Sequence, residues 1–307
     1  MLTPLVTPCC NTYLCGTRAV RRGTLQPFPP VPDVTDAPAD LFEGHLWILE
    51  KVDGAPLRFQ LRESGLLRFG DGTRTYDDPA DVPLPYQHAV RHVREHLDRE
   101  SLRKALPDVT AATFYGEATH KQTIDYDWER LPSFLGFEVW SAGREEFLPP
   151  DAVATIFEQV NLRPVNAVER ELPARDFDPT SYPVPDSAWY DGPAEGVVIR
   201  DKRGHRAQLT NPGLVADDSP PPSASSGDSV SELAASLATP ERFSAVASRL
   251  DDEGQPVTFD TLFERVIESI VREEHATLFE GHTAVDPSQF RAAIAPLTRS
   301  FLEDRER

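Results

Sequence analysis

The chain has 307 residues (34.2 kDa), with 50 acidic against 31 basic side chains, a formal charge of −19 and a pI near 4.8. Only four of the basic residues are lysines, Lys51, Lys104, Lys121 and Lys202, and the other 27 are arginines. This balance excludes a protein coated all over with basic side chains, so any grip on nucleic acid has to be a local patch. The length predicts about two domains, and 39 % apolar residues leave enough to build a core. No run reaches the ~18 consecutive apolar residues of a membrane-spanning helix, so no membrane partner is expected. An acidic, arginine-rich surface fits adaptation to high salt, and a GC-rich coding bias would produce the same composition.

Residues 1–32 stand apart. They contain no Asp or Glu, carry Arg18, Arg21 and Arg22, and hold all three cysteines, Cys9, Cys10 and Cys15. Pro4, Thr7, Pro8, Asn11 and Thr12 interrupt the apolar core a secretory signal requires. An odd number of closely spaced cysteines without a Cys-x-x-Cys unit argues against a disulfide framework or a metal site. The segment reads as a disordered extension, ending in the extended run Pro27-Phe-Pro-Pro-Val-Pro32.

Residues 33–214 mix strand and helix patterns. Leu46–Leu49 reads as a buried strand. Leu57, Phe59 and Leu61 alternate with polar residues as a half-buried strand, and Leu66–Phe69 is a third, closed by the Gly70-Asp-Gly turn. Residues 86–106 carry a helical stripe through Val90, Val93 and Leu97. Thr113–Tyr115, Leu135–Trp140 and Gly196–Arg200 read as strands, and Asp151–Val160 as a short helix behind Pro149 and Pro150. Residues 215–229, rich in Ser, Pro and Asp, form a linker.

Residues 230–307 read as a small all-helical domain. Thr239 and Pro240 open one helix. The residues after Thr258 place Phe259, Leu262, Phe263, Val266, Ile267, Ile270 and Val271 on one face. A last helix begins at Asp286-Pro287 and is expected to kink or split at Pro296.

Four segments carry chemistry, in order. Glu50-Lys51-Val-Asp53-Gly54 follows the first strand, so its lysine lies at the rim of a sheet. Phe114-Tyr-Gly-Glu117 puts a carboxylate at a strand end. Phe134-Leu-Gly-Phe137-Glu-Val-Trp140 is a strand dense in aromatic rings. Glu195-Gly-Val-Val-Ile-Arg200 opens a buried strand with a carboxylate, and Arg206 and Gln208 follow on another. Each motif alone is common. The ordered set resembles the covalent nucleotidyltransferases, the superfamily of polynucleotide ligases and mRNA capping enzymes, over roughly residues 46–209.

The resemblance implies an α+β fold, with a nucleotidyltransferase core of antiparallel sheets and flanking helices, followed here by the all-helical domain. It implies ATP as cofactor, with AMP carried covalently on Lys51, and Mg²⁺ or Mn²⁺ held by Glu117 and Glu195. A lysine nucleophile must first lose its proton, which its ordinary pKa of ~10.4 opposes and burial favours. By the same resemblance Glu117 also meets the ribose, Phe137 stacks on the adenine, Glu50 lies beside it, and Asp53 and Gly54 complete the lysine motif. Arg68, with Arg74 as the weaker choice, is expected on phosphate. The family usually closes its set with Lys-x-Lys. Here those positions hold Arg206 and Gln208, so Arg206, with Arg200, is expected to supply the missing charge.

Ligases with a C-terminal OB barrel need several short glycine-punctuated strands there. The helical C-terminus instead resembles phage-type and archaeal RNA ligases. The resulting expectation is a cytoplasmic RNA ligase, from a halophilic archaeon, that joins 5′-phosphate and 3′-hydroxyl RNA ends. The helical domain, with 15 acids and 8 basic residues from Ser229 on, could serve strand binding or a homodimer equally. The alternatives are a DNA ligase, and a protein that binds nucleotide or RNA ends without completing catalysis because Gln208 replaces lysine. A remote alternative is a zinc peptidase on the His92-Val-Arg-Glu95-His96 helix, where Arg91, Arg94 and Arg99 would oppose a cation.

Overall fold

The computed structural model describes residues 25–106, 108–214, 230–280, 285–305 and 307. The expected linker 215–229 and the cysteine-bearing segment 1–24 lie outside them. The fold is α+β. Two antiparallel sheets carry the site, and helices cover them.

The first strand, β1 (His45–Lys51), belongs to a four-stranded sheet. It is buried on both faces from Leu46 to Glu50, as its near-continuous apolar run requires of a central strand. The chain then leaves this sheet within two residues, Val52 and Asp53, and enters the second sheet as β2 (Gly54–Leu61). The lysine motif is therefore the crossing point between the two sheets. β3 (Leu67–Gly70), β4 (Thr75–Tyr76), β5 (Ala112–Thr119), β6 (Phe134–Ser141) and β7 (Glu146–Phe147) complete the second sheet in the order β4-β3-β2-β5-β6-β7. β8 (Ala167–Pro173), β9 (Gly196–Arg200) and β10 (Arg206–Thr210) return to the first, in the order β10-β9-β1-β8.

The six-stranded sheet buries Phe59, Phe114 and Phe134 under helices α1 (Leu84–His96) and α3 (Pro150–Gln159), which contribute Ala89, Val90, Val93, Val153 and Phe157. Phe59 and Phe114 stack with centroids 4.9 Å apart. Leu46, Ile48, Val197, Ile199 and Ala207 form the core of the smaller sheet.

Several details differ from the sequence reading. The helical stripe of residues 86–106 is two helices, α1 and α2 (Arg99–Ala105), because Leu97 turns extended and Asp98 caps the second by accepting the N–H groups of Glu100 and Ser101. β8 had no visible strand signal. Its Glu169, Arg170 and Glu171 are what a half-exposed edge strand carries, and only Val168 and Leu172 pack on the core of the smaller sheet. Residues 25–32, expected within a disordered extension, are packed: Leu25 is buried and Tyr115 Oη donates to the Gln26 carbonyl at 2.7 Å.

The C-terminal helices are α4 (Val230–Leu237), α5 (Pro240–Asp252), α6 (Phe259–Glu273) and α7 (Pro287–Arg305). Thr239 caps α5, and Thr258 and Thr261 form a capping box on α6. The apolar stripe of α6 packs against Phe243, Val246, Leu250, Phe290 and Ile294. α7 runs through Pro296 without splitting, and its contacts with α4, α5 and α6 hold it. The module docks on the sheets through α6. Arg91 on α1 pairs with Glu268 at 2.5 Å, and Arg272 donates to the carbonyls of Thr119 and Leu131 and to Thr119 Oγ1. Among the described residues no helix is long and apolar enough to cross a membrane.

Candidate active site

Lys51 ends β1, opposite Gly196 on β9, which places its side chain beside Glu195, and the two form an ion pair. Gly54 opens β2 opposite Thr119. A Cβ there would lie 2.5 Å from the Ala118 carbonyl and 2.7 Å from Glu117 Cγ, so only glycine lets the lysine turn pass this close to β5. The same approach brings Glu117 to the lysine. The three segments thus converge because β1, β5 and β9 meet where the chain changes sheets.

A cavity of about 390 Å³ opens here, lined by Glu50, Lys51, Gly54, Glu117, Phe137, Glu195, Arg200, Arg206 and Gln208 among others. Nine of the expected site residues therefore share one pocket. Its charge is strained. Burial, with the charges of Glu195 and Asp53 adding to it and Lys51 opposing, pushes the Glu117 carboxyl up to about 8. Glu195 is also raised, by burial against the pull of Lys51 and with Asp53 adding to the rise. One amine faces two crowded carboxyl groups, Glu117 and Glu195, a set that a divalent cation would relieve. Glu195 Oε2 is buried without a hydrogen-bond partner. Among the described residues no three His, Cys, Asp or Glu side chains are arranged to hold a metal by themselves. This donor set fits a hard ion that completes its shell with phosphate oxygens and water, as Mg²⁺ does.

Six expected contacts are placed differently. Asp53 does not line the cavity: its Oδ2 accepts the backbone N–H groups of Gln122, Thr123 and Ile124 at 3.1, 2.7 and 2.8 Å. It shapes the loop after β5, because a carboxylate at a sheet crossing finds free amides there. Glu50 lines the cavity, but its carboxylate is already held by Asn166 Nδ2 (3.0 Å), Ser187 Oγ (2.5 Å) and the Ala188 N–H (3.2 Å).

Arg68 lies outside the cavity and pairs with Asp77 at 2.7 Å, because its place on β3 turns it toward the β4 edge. Arg74 is outside too. Arg200 and Arg206 line the cavity, yet both are committed to Glu138, at 2.6 and 3.2 Å. Arg206 is also clasped between rings, its guanidinium 4.9 Å from the Phe28 centroid and 4.5 Å from that of Phe147. Its charge is thus compensated before any phosphate arrives.

The arginine that the sequence reading missed is Arg58, on β2. It lines the cavity, is buried, and leaves Nε and Nη1 without a partner, with Nη2 only 3.4 Å from the Arg74 carbonyl. Burial lowers its pKa. The signal was present: Arg58 alternates with Leu57 and Phe59, so it faces away from the core, on the face that carries the lysine motif.

The histidine helix is placed elsewhere. His92, Glu95 and His96 line a separate cleft of about 1280 Å³ between α1 and the C-terminal helices. Glu95 is tied to Arg265 at 2.8 Å, the two rings stack at 4.2 Å, and burial with nearby His96 and arginine charge lowers His92 to about 3. A cation meets positive charge there, not a ligand cage.

A crossing-point lysine amid carboxylates, at a pocket between two antiparallel sheets, defines a nucleotidyltransferase-like site. The RNA ligase family model matches residues 44–212, more than half of the chain, and the chain belongs to that family. Among solved structures it is similar to a Naegleria gruberi RNA ligase mutant with ATP and Mn, at 14 % identity and a TM-score of 0.47, covering 60 % of this chain and 56 % of that one. It is also similar to an archaeal ATP-dependent RNA ligase, at 16 % identity and a TM-score of 0.43, covering 91 % of this chain and 65 % of that one. The chain thus spans less than two thirds of the length of either. No curated protein matches it.

Proposed function

We propose that the protein is an ATP-dependent RNA ligase that works through AMP carried on Lys51. The Nζ lone pair attacks the α-phosphorus of ATP, a P–N bond forms, and pyrophosphate leaves. The AMP passes to the 5′-phosphate of an RNA end, which frees the lysine. The 3′-hydroxyl then attacks that phosphate and expels AMP, leaving a phosphodiester. The observation that carries this reading is the position of the Lys51 amine, paired with Glu195 and beside Glu117, at a nucleotide-sized cavity in a chain of the RNA ligase family.

The geometry supports the following roles. Phe137 offers a ring wall for the adenine. Glu117 and Glu195 would hold Mg²⁺ or Mn²⁺, which when bound neutralises phosphate charge. Arg58, with two free donors, is the phosphate contact that Arg68 was expected to be. Arg200 and Arg206 support the pocket wall through Glu138, and Gln208 contributes a dipole in place of the usual lysine.

The test is incubation with α-labelled ATP and a divalent metal. A covalent label on the wild type and none on Lys51→Ala is expected. A label that survives Lys51→Ala refutes the lysine intermediate. A second reading is favoured by one observation, the neutralisation of Arg206 by Glu138: the protein would bind nucleotide or RNA ends without transfer. ATP binding without any label would select it. Preferential sealing of all-DNA over RNA nicks would move the assignment to a DNA ligase.

A further inference from the structure

We propose that the segment Leu25–Pro32 is a built wall of the nucleotide pocket, and that Phe28 sets the pocket's affinity for the nucleotide base. The inference rests on the reading of this cavity as an ATP site. Phe28, Pro29, Pro30 and Val31 line the same cavity as Lys51 and Glu195. The Phe28 ring lies 5.0 Å from Phe137, edge to face, and 5.3 Å from Tyr115. It therefore touches the ring expected to carry the adenine.

The segment is fixed at both ends, to different sheets. Tyr115 Oη on β5 donates to the Gln26 carbonyl at 2.7 Å. The Gln208 N–H on β10 donates to the Pro32 carbonyl at 2.9 Å, and Asp33 bridges Gln208 in parallel. β10 is an edge strand, so the strap covers backbone that would otherwise be open. Leu25 anchors the near end, buried against Gly70. Four prolines between residues 27 and 32 hold the backbone extended before any ligand arrives, which lowers the entropic cost of forming the wall.

The strap is a wall and not a plug. With it in place the cavity still measures about 390 Å³, and small-ligand pockets span roughly 300–1,000 Å³. Phe28 fixes Phe137 and shares the Arg206 charge, so its loss loosens the base platform without touching Lys51.

The test is calorimetric titration of the full chain with ATP in EDTA, for wild type, Phe28→Leu and Phe28→Ala, each checked for an unchanged melting transition. Losing one aromatic contact predicts affinity weaker by about 2- to 10-fold for Phe28→Ala. Phe28→Leu, which keeps volume but not the ring, is expected to fall between. Equal affinity in all three overturns the inference, and so does tighter binding, which would make the strap a plug. Absence of ATP binding by the wild type overturns it as well. If ATP binds and Phe28→Ala weakens it while no label reaches Lys51, the strap stands and the lysine intermediate fails. If Phe28→Ala melts early, Phe28→Leu alone decides.

Discussion

Glu138→Gln would leave two buried guanidinium groups without an anion. Glu138 is 1 % exposed, and Arg200 and Arg206 are 3 % and 7 % exposed. The first arginine reaches one carboxylate oxygen at 2.6 Å and the second reaches the other at 3.2 Å. Glutamine keeps the shape and one acceptor, but its amide N–H groups then face a guanidinium donor to donor. Arg200 retains the carbonyls of Phe137 and Leu148 at 3.1 and 3.2 Å. Arg206 retains the Gly204 carbonyl at 3.2 Å and two aromatic rings. Breaking one side of a buried ion pair costs ~3–5 kcal/mol, and the remaining partners place the loss at the lower end, about 3 kcal/mol. That is a change of more than 100-fold in the folding equilibrium. Urea unfolding followed by tryptophan fluorescence measures it, with Arg206→Gln and the double variant alongside. Because the two residues share one network, the double variant should lose clearly less than the sum of the singles. A loss below about 1 kcal/mol for Glu138→Gln, or full additivity, would refute the clamp.

The other expectations are more local. Arg58→Met removes two buried, unpaired donors, so stability should hold or rise by about 1 kcal/mol while ATP affinity falls about tenfold; a stability loss with unchanged affinity would make Arg58 a structural group. His120 stacks on His275 with centroids 3.6 Å apart, and burial, aided by the charges of His275 and Arg272, depresses it to about 3. Its folded value lies below the unfolded one. The stability it contributes is therefore complete above about pH 6.5 and is lost as pH falls toward 3. His120→Phe keeps the ring stack and should flatten the acid limb of unfolding by up to ~1.4 kcal/mol per pH unit; an unchanged slope would show that His120 does not titrate with unfolding.

The order of chemistry-bearing segments was legible because their spacing follows the strands that present them. Leu46–Leu49 had to be a central strand from its unbroken apolar run, and Lys51 had to lie at its end. The α6 stripe had to pack, and Thr239 and Thr258 had to start helices. Sequence alone also named nine of the residues that share the pocket, from Lys51 through Glu117 to Glu195. It misplaced the arginines, because charge at a strand position says nothing of which neighbour claims it. Arg68 looked free, yet Asp77 reaches it from the sheet edge. Arg206 looked like a substitute for lysine, yet Glu138, on a strand 68 residues earlier, compensates it first.

By itself, then, the sequence determined the element types, the lysine motif and the set of carboxylates. These depend on local periodicity and on residues within a few positions of one another. Tertiary structure decided which pocket arginine keeps donors without partners, that Asp53 organises a loop and not a ligand, and that a proline-rich segment with no acidic residue lines one side of the pocket. Those outcomes depend on desolvation and on contacts between two sheets, and no window along the chain contains both partners.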